Sequence, residues 1–446
     1  MITGSSALNI LITGLFSKEI TGIMVNKSFY SLQTAADLDP LMDHIGDATC
    51  VLLGEASHGT HEYYTWRAAI TKRLIKEKGF NFIAVEGDWP DCYHINRFIK
   101  GYEQQDLEAH EVLKAFTRWP TWMWANWEIA SLVTWLKEHN LHTTSRKVGF
   151  YGLDVYSLWE SMDVMVKYLE EHDPVAARTA RQAMECFQPY GRDEQKYARA
   201  QFTLEDSCRE PLIRLLAEIR KKAPSFDHDP EAALNTSQNA YVALNAEEYY
   251  SQMSGFNDNT WNLRDTHMME TLNRLLEFHG PGTKGIVWEH NTHIGDARFT
   301  DMRKEGMVNV GQLAREQIGE KEVVLVGFGS YQGTVIAADH WGAEMEVMPV
   351  PAARPGSIEE MLHGASAENK LIVFDHENRS AFSKVLPHRA IGVVYNPQHE
   401  RYGNYVPTVL SSRYDGFIYL DHTRAVHPLQ LMPDLSMVPE TYPFTF

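Results

Sequence analysis

The sequence predicts an α/β fold in which a mainly parallel, doubly wound sheet carries a large helical insertion forming a lobe over a candidate active-site cleft. Two observations predict this fold class. Short apolar runs alternate with helical stretches, and most of these runs are continuously apolar, as expected of parallel strands that helices cover on both faces. Residues 156–282 contain no strand-like run and are rich in Ala, Glu, Arg, Leu, Met and Tyr, which indicates helices there.

The predicted strands, in chain order, are CVLLGE, NFIAVE, KVGFYGLD, KGIVWEH, EVVLVGFG, GTVIAA, AIGVVY and GFIYL. The interpretation of the chain is then an α/β catalytic core made of residues 38–155 and 283–446, and a helical insertion or cap made of residues 156–282. Residues 1–37 form an N-terminal extension, which is disordered in one interpretation.

Composition limits the classes of partner. The formal net charge of −18 argues against a nucleic-acid partner, because phosphate backbones require a positive surface. No run reaches the ~18 apolar residues of a membrane span, so no membrane partner is expected. The four cysteines show no CxxC pairing and are too sparse for a disulfide framework, which predicts reduced packing residues and a cytoplasmic protein.

Acidic and imidazole side chains follow several predicted strands. In open α/β sheets, ligands bind beyond the carboxyl ends of the strands, where these side chains are expected to meet. The residues at four predicted strand ends are Glu55 and His58, Glu86, Asp154, and Glu289 with His290 and His293.

Two helices add charged groups to apolar stripes. The helix that begins near Thr60 places Arg67 among apolar residues, where a buried guanidinium needs a carboxylate such as Glu55 or Glu86. Arg67 at the edge of the helix is the alternative. The segment WNLRDTHMMETL likewise carries Arg264 and Asp265, which are interpreted as site residues that contact substrate or as a structural ion pair.

These groups favour attack by water. GEASHG does not match the GxSxG nucleophile elbow, and no cysteine lies beside a histidine in a comparable turn. His58 can take a proton from water near neutral pH if a carboxylate orients it. No cofactor is then required. The alternative is a Zn²⁺ or Mn²⁺ ion held by some of Glu55, His58, Glu86, His290 and His293.

Several motifs resemble the erythromycin esterase family: LLGEASHGTHEYYTWR, AVEGDWPDCYHINRF, WNLRDTHMMETL, VWEHNTHIGDAR, GTVIAADHWG and IGVVYNPQHERYGNY. The resemblance runs from Leu38 to Pro428. It implies an α/β core with a helical lobe above a deep cleft. It also implies a set of catalytic residues, with the first histidine as the base that activates water: Glu55, His58, Arg67, Glu86, His290 and His293.

The same resemblance implies a hydrolase that opens the macrocyclic lactone of macrolide antibiotics, or cleaves a related small-molecule ester, and so confers antibiotic resistance. Two alternatives stay open, a metal-dependent hydrolase of an unknown ester or amide that uses the same Glu and His residues, and a protein that is non-catalytic or connected with polysaccharide biosynthesis. The aromatic segment RWPTWMWANWE offers Trp122 and Trp124 as walls of a substrate cleft, although core packing also explains such residues.

Overall fold

The computed structural model describes residues 28–102, 107–144, 146–200, 207–225, 230–253 and 260–429. Most of the predicted N-terminal extension, residues 1–27, lies outside the described residues. The remainder of that segment, residues 28–37, belongs to the folded core, because it supplies an edge strand and the fully buried Leu32.

The strands of the described chain are β1 Tyr30–Ser31, β2 Cys50–Leu53, β3 Phe82–Val85, β4 Gly149–Gly152, β5 Gly285–Trp288, β6 Val323–Ala337, β7 Glu346–Val350, β8 Lys370–Val373, β9 Val385–Arg389, β10 Tyr405–Val409 and β11 Gly416–Thr423. The main sheet has the order β1-β8-β11-β6-β2-β5-β3-β4, with β7 paired to β6. The six central strands, from β11 to β4 in that order, pair in parallel. The predicted fold class, α/β with a mainly parallel sheet, is confirmed.

Alternation of side chains explains why the central strands are continuously apolar. In β2, Val51 and Leu53 enter the core on one face of the sheet, while Cys50 and Leu52 enter the core on the other. Each face buries its own hydrophobic cluster, so neither set of positions can be polar.

The α-helices are α1 Asp39–Ile45, α2 His61–Lys78, α3 Trp89–Lys100, α4 Ala109–Val112, α5 Trp127–His142, α6 Leu158–His172, α7 Pro174–Phe187, α8 Glu194–Ala200, α9 Arg209–Lys222, α10 Ala232–Met253, α11 Thr260–His279, α12 Asn291–Ile294, α13 Val310–Gln317, α14 Ile358–Ala365, α15 Glu400–Gly403 and α16 Leu410–Arg413. Local signals set several ends. Gly79, with φ of 73°, ends α2, and the Asn126 side chain accepts a hydrogen bond from the Ile129 N–H at the start of α5.

Helices α6 to α11 fill the chain between β4 and β5, and no strand occurs among the described residues there. Helices α6 to α10 bury a third hydrophobic cluster of their own, separate from the two clusters that cover the sheet. Helix α11 connects the two parts, because Met268 and Leu272 pack on the sheet while Leu263 packs against the third cluster.

The prediction that all four cysteines are reduced is wrong for two of them. Cys186, in α7, forms a disulfide with Cys208, which precedes α9, whereas Cys50 and Cys92 are free and buried. Residues that are 22 positions apart and follow no sequence motif give no signal that the fold brings them together. This pair therefore gives no support to the predicted cytoplasmic location. Within the described residues, no helix has the length and hydrophobicity that crossing a bilayer requires.

Two strand predictions also need correction. EVVLVGFG and GTVIAA belong to one long strand, β6. AIGVVY forms no strand: Ile391 and Val394 make only isolated bridges, to Ser57 and Ala338. Its backbone bonds go to chain segments that follow β2 and β6, because it crosses the carboxyl edge of the sheet instead of running beside a strand.

Candidate active site

A cavity of about 290 Å³ lies beyond the carboxyl ends of β2, β3 and β5. Four of the predicted site residues line it: His58, Glu86, His290 and His293. Its apolar wall includes Trp261 from α11, Trp341, and Val393 and Val394 from the AIGVVY segment. The described residues that line the cavity include no serine or cysteine. The side-chain hydroxyls in the lining are those of Thr292 and Tyr405.

His58 lies in the loop that joins β2 to α2. Its Nδ1–H donates to Glu55 Oε1 at 2.9 Å, and within the described residues its Nε2 has no hydrogen-bond partner. The loop runs very close to β6, because a Cβ at Gly59 would lie 1.9 Å from the Ile336 carbonyl oxygen. Glycine at position 59 is therefore a steric requirement of the loop that carries His58.

Arg67 contacts Glu55, the partner of His58. Its Nη2 donates to Glu55 Oε2 at 2.5 Å, and its guanidinium lies 4.7 Å from the ring centroid of Tyr64 and 4.6 Å from that of Trp288. The side chain is fully buried and does not line the cavity. The sequence placed Arg67 among the reacting groups, whereas the structure places its guanidinium against Glu55 and outside the lining of the cavity.

The surroundings of His58 favour its protonated form. Burial lowers the pKa of a histidine, but the negative charge of Glu86 and the hydrogen bond and charge of Glu55 outweigh burial here. The pKa of His58 consequently lies above its ordinary value. A histidine in this position is a stronger base once it has lost its proton.

Glu86 accepts hydrogen bonds on both of its carboxylate oxygens. Its Oε1 accepts from Arg264 Nη2 at 2.8 Å, and its Oε2 accepts from the His290 N–H at 2.8 Å. Burial would raise its pKa, but the charges of His293, His58 and Arg264 hold it well below the usual range. Glu86 therefore stays ionised and places a fixed negative charge beside the histidines.

Arg264 lies behind Glu86 and contacts both it and a second carboxylate. It donates from Nε and Nη2 to the two oxygens of Asp154, at 2.9 and 2.6 Å, and its Nη1 lies 3.2 Å from His293 Nε2. Only 1% of Arg264 is exposed and the residue does not line the cavity. The prediction that Arg264 contacts substrate is not supported, because its guanidinium lies outside the cavity lining and donates to Glu86.

Asp265 has a different partner from its neighbour Arg264. Both of its oxygens lie 3.0 Å from His293 Nδ1, which donates to them. Burial raises the pKa of Asp265 even though His293 opposes the shift. Asp265 is fully buried and therefore orients His293 through Nδ1. The His293 ring stacks on the ring of Trp261.

His290 presents a hydrogen-bond donor. Its Nδ1 accepts from the Thr292 N–H, so the neutral ring carries its hydrogen on Nε2, and this nitrogen has no partner within the described residues. Burial, followed by the charge of His58, holds the pKa of His290 well below its ordinary value. The rings of His290 and His58 have centroids 4.9 Å apart. The ring that carries this neutral donor thus lies next to the ring of a candidate base.

Two acidic residues at strand ends have roles that the sequence did not define. Asp154 follows β4 and is the partner of Arg264. Glu289 follows β5, and neither of its buried oxygens has a hydrogen-bond partner within the described residues. Burial, with a contribution from the charge of Glu86, raises the pKa of Glu289 well above its usual range.

Trp122 and Trp124 are core residues and do not line the cavity. Trp122 packs edge to face against Trp119, whose ring in turn contacts Trp341. Trp124 donates from its indole N–H to the Glu86 carbonyl oxygen at 3.0 Å. The predicted contact of this pair with substrate is therefore not supported, because both rings serve packing and backbone positioning.

The predicted metal-binding alternative has little geometric support. Both Glu55 oxygens already contact His58 or Arg67, and the Arg264 guanidinium lies beside His293 Nε2. A fixed guanidinium at this distance disfavours a second cation.

Comparison with known proteins places this chain in a family. The model of the family described as erythromycin esterase matches residues 75–423, which is more than half of the chain. The chain belongs to the erythromycin esterase family. The match begins after Glu55, His58 and Arg67, so the proposed roles of these three residues rest on their contacts in the structure.

Curated relatives of this family member are distant. It is 24% identical to erythromycin esterase type II of Escherichia coli over 365 residues, which cover 76% of this chain and 83% of the relative. It is 22% identical to the putative hydrolase YbfO of Bacillus subtilis over 393 residues, or 83% of each chain. Family membership and these relatives together support a hydrolase.

Solved structures share the fold. A succinoglycan biosynthesis protein is 20% identical with a TM-score of 0.72, covering 92% of this chain and 98% of that one. A Bacillus cereus protein is 19% identical with a TM-score of 0.74, covering 92% and 99%. A mutant of the erythromycin esterase EreC in its open conformation is 17% identical with a TM-score of 0.65, covering 89% and 98%.

Proposed function

We propose that this protein hydrolyses a carboxylic ester with a water molecule that His58 activates, and that its substrate is a macrocyclic lactone of the macrolide type. The observation that carries the proposal is the pairing of His58 Nδ1 with Glu55, next to the ring of His290, whose centroid lies 4.9 Å away and whose Nε2–H has no partner among the described residues. Opening such a ring would inactivate an antibiotic.

In the proposed reaction, His58 Nε2 takes a proton from water as the water oxygen attacks the ester carbonyl carbon. The oxyanion that forms accepts a hydrogen bond from His290 Nε2–H, a buried donor that has no hydrogen-bond partner among the described residues. The negative charges of Glu55 and Glu86 stabilise the imidazolium of His58.

The intermediate then collapses, and the bond between the carbonyl carbon and the alkoxide oxygen breaks. The protonated His58 returns its proton to the departing alkoxide, which yields an alcohol and a carboxylic acid. In a lactone these two products remain in one molecule. The sum of the steps is the addition of one water, with no covalent enzyme intermediate.

The cavity wall supports an apolar substrate. Trp261, Trp341, Val393 and Val394 line the cavity beside the histidines, and its volume of about 290 Å³ is small for a ligand site. A macrolide would therefore place its ester in the cavity and extend through the opening.

The test is mass spectrometry of a macrolide panel and simple esters after incubation with purified protein, with addition of one water as the signal. We expect His58→Asn to lose about 10³-fold in kcat/KM, within the usual range for a general base. His363→Asn is the matched control, because His363 also donates to a carboxylate, Asp421, at 2.7 Å but lies outside the cavity. Near-normal turnover by His58→Asn would overturn the proposal.

The same experiment separates the alternatives. Loss of activity on chelation and recovery on metal addition, seen equally in the wild type and in His427→Ala, would favour a metal-dependent hydrolase. Stabilisation by a polysaccharide precursor, with no turnover of any ester, would favour a non-catalytic or biosynthetic role.

A further inference from the structure

Three metal-ligating side chains meet outside the candidate active site. His61 is the first residue of α2, Glu128 is the second residue of α5, and His427 belongs to the C-terminal stretch after β11. Their ligand atoms all lie within 4.8 Å of one another. Both imidazole Nδ1 atoms face the same oxygen, Glu128 Oε1, at 2.5 Å for His61 and 2.6 Å for His427.

The backbone holds these three residues together independently of their side chains. The His61 N–H donates to the Arg424 carbonyl oxygen at 2.8 Å, and the Trp127 N–H donates to the His427 carbonyl oxygen at 2.9 Å. The C-terminal stretch therefore lies between the first turns of α2 and α5. A ligand set fixed by the backbone loses little conformational entropy when it binds an ion.

We propose that His61, Glu128 and His427 bind a divalent transition-metal ion, with Zn²⁺ as the best match. Two imidazole nitrogens and one carboxylate oxygen suit Zn²⁺, while the nitrogen ligands disfavour Mg²⁺ and Ca²⁺. The three side chains supply three of four tetrahedral positions, which leaves one for water.

The geometry needs a movement of the two imidazole rings. Ligand atoms around a tetrahedral Zn²⁺ lie ~3.3 Å apart when the bonds are 2.0–2.1 Å long. The two nitrogens must therefore move away from Glu128 Oε1 by less than about 1 Å and lose the hydrogens that they donate to it. They must also approach each other, from a separation of at most 4.8 Å. The side chain of His427 is 61% exposed, so it can make this movement. An adjacent groove of about 620 Å³, lined by His61, Glu128 and His427 among others, gives an ion access from solvent.

Binding would connect the ion to the loop that carries His58. The stretch that ends at His427 pairs with that loop, because the Val426 N–H donates to the Gly59 carbonyl oxygen at 2.9 Å. The ion would act as a clamp on folded structure, without contact to the substrate, since none of its three ligands lines the cavity. It is thus distinct from a metal at the catalytic histidines.

The test is calorimetric titration of the full-length, metal-stripped protein with zinc chloride alone, after removal of any purification tag. We expect one Zn²⁺ per chain and a higher melting temperature with Zn²⁺. His427→Ala should weaken binding by about 100-fold or more, since it removes a direct ligand and even indirect supports of a metal site cost 10–100-fold. Its exposure makes this substitution safe for the fold.

His376→Ala is the matched control, because His376 is also exposed and lies 3.8 Å from a carboxylate, that of Glu377. It should bind Zn²⁺ as the wild type does. Absence of saturable binding in the wild type, or unchanged affinity in His427→Ala, would overturn the proposal. Binding that His58→Asn abolishes and His427→Ala leaves unchanged would place the ion at the candidate active site and would also overturn it.

Discussion

Glu55→Gln tests the arrangement that orients His58. Glu55 is 3% exposed and its two oxygens serve different partners, the His58 ring and the Arg67 guanidinium. Glutamine has nearly the same size, so the substitution creates no cavity. It removes the negative charge and replaces one acceptor oxygen by an amide that can only donate.

The expected cost follows from burial. Removing one member of a buried ion pair usually costs 3–5 kcal/mol, because the remaining charge stays desolvated, and Arg67 has no exposed surface with which to recover hydration. The retained oxygen of glutamine can accept from either Arg67 or His58 but not from both. We therefore expect a loss of about 3–5 kcal/mol in the free energy of unfolding at pH 6.

The loss should depend on pH, with a defined sign. The pKa of His58 is raised in the folded protein, and Glu55 is one cause. A raised histidine pKa stabilises the fold fully below the unfolded pKa of ~6.5, and this contribution disappears as pH rises through the folded pKa. The substitution removes part of this contribution, so its cost should be larger at pH 6 than at pH 9, where the positive charge of His58 no longer contributes.

The assay is urea unfolding followed by tryptophan fluorescence at both pH values. Glu77→Gln is the control, because Glu77 also accepts two hydrogen bonds from an arginine, Arg73, but on an exposed helix surface. That pair should contribute no more than about 1 kcal/mol. A loss below about 1 kcal/mol for Glu55→Gln, or a cost that is larger at pH 9 than at pH 6, would refute the reasoning.

Two further predictions concern the groups behind the cavity. Arg264→Met should lower the free energy of unfolding by about 3–5 kcal/mol at pH 7, because it leaves the buried carboxylates of Glu86 and Asp154 without their cation. In a double-mutant cycle, Glu86→Gln should recover part of that loss, because it neutralises one of the two carboxylates. Glu289→Gln should gain stability relative to the wild type as pH rises from 5 to 8, by up to about 1.4 kcal/mol per pH unit. The reason is that the wild type must keep a proton on a buried carboxyl whose pKa is raised. Thermal melts at both pH values measure the difference, and a constant difference would show that this carboxyl is ionised in the folded state.

Residues at strand ends were predictable because strand direction and burial are local properties. An apolar run followed by a polar residue marks a carboxyl end, and parallel pairing brings such ends to one edge. This reasoning located His58, Glu86, His290 and His293, which the structure places around one cavity. It needed no knowledge of the loops.

Partnerships between distant residues were not predictable from the sequence. Arg264 and Glu86 are 178 positions apart, and the neighbouring Arg264 and Asp265 contact different groups because successive positions on a helix point in different directions. The position of the AIGVVY segment in the cavity wall was not predictable for a different reason. The AIGVVY run has the composition of a strand, yet it crosses the sheet edge, and composition alone does not distinguish the two.

Helix α11 links the helical insertion to the carboxylate and imidazole groups of the cavity. One side of it contacts α10, where Gln238 donates to Thr271 at 2.9 Å, while its first turns position Glu86 and His293 through Arg264 and Asp265. A substitution among the helices that shifts α11 would disturb both carboxylate and imidazole together. Divergence in substrate choice is therefore expected to accumulate in loops such as residues 390–406, where the wall can change without moving this helix.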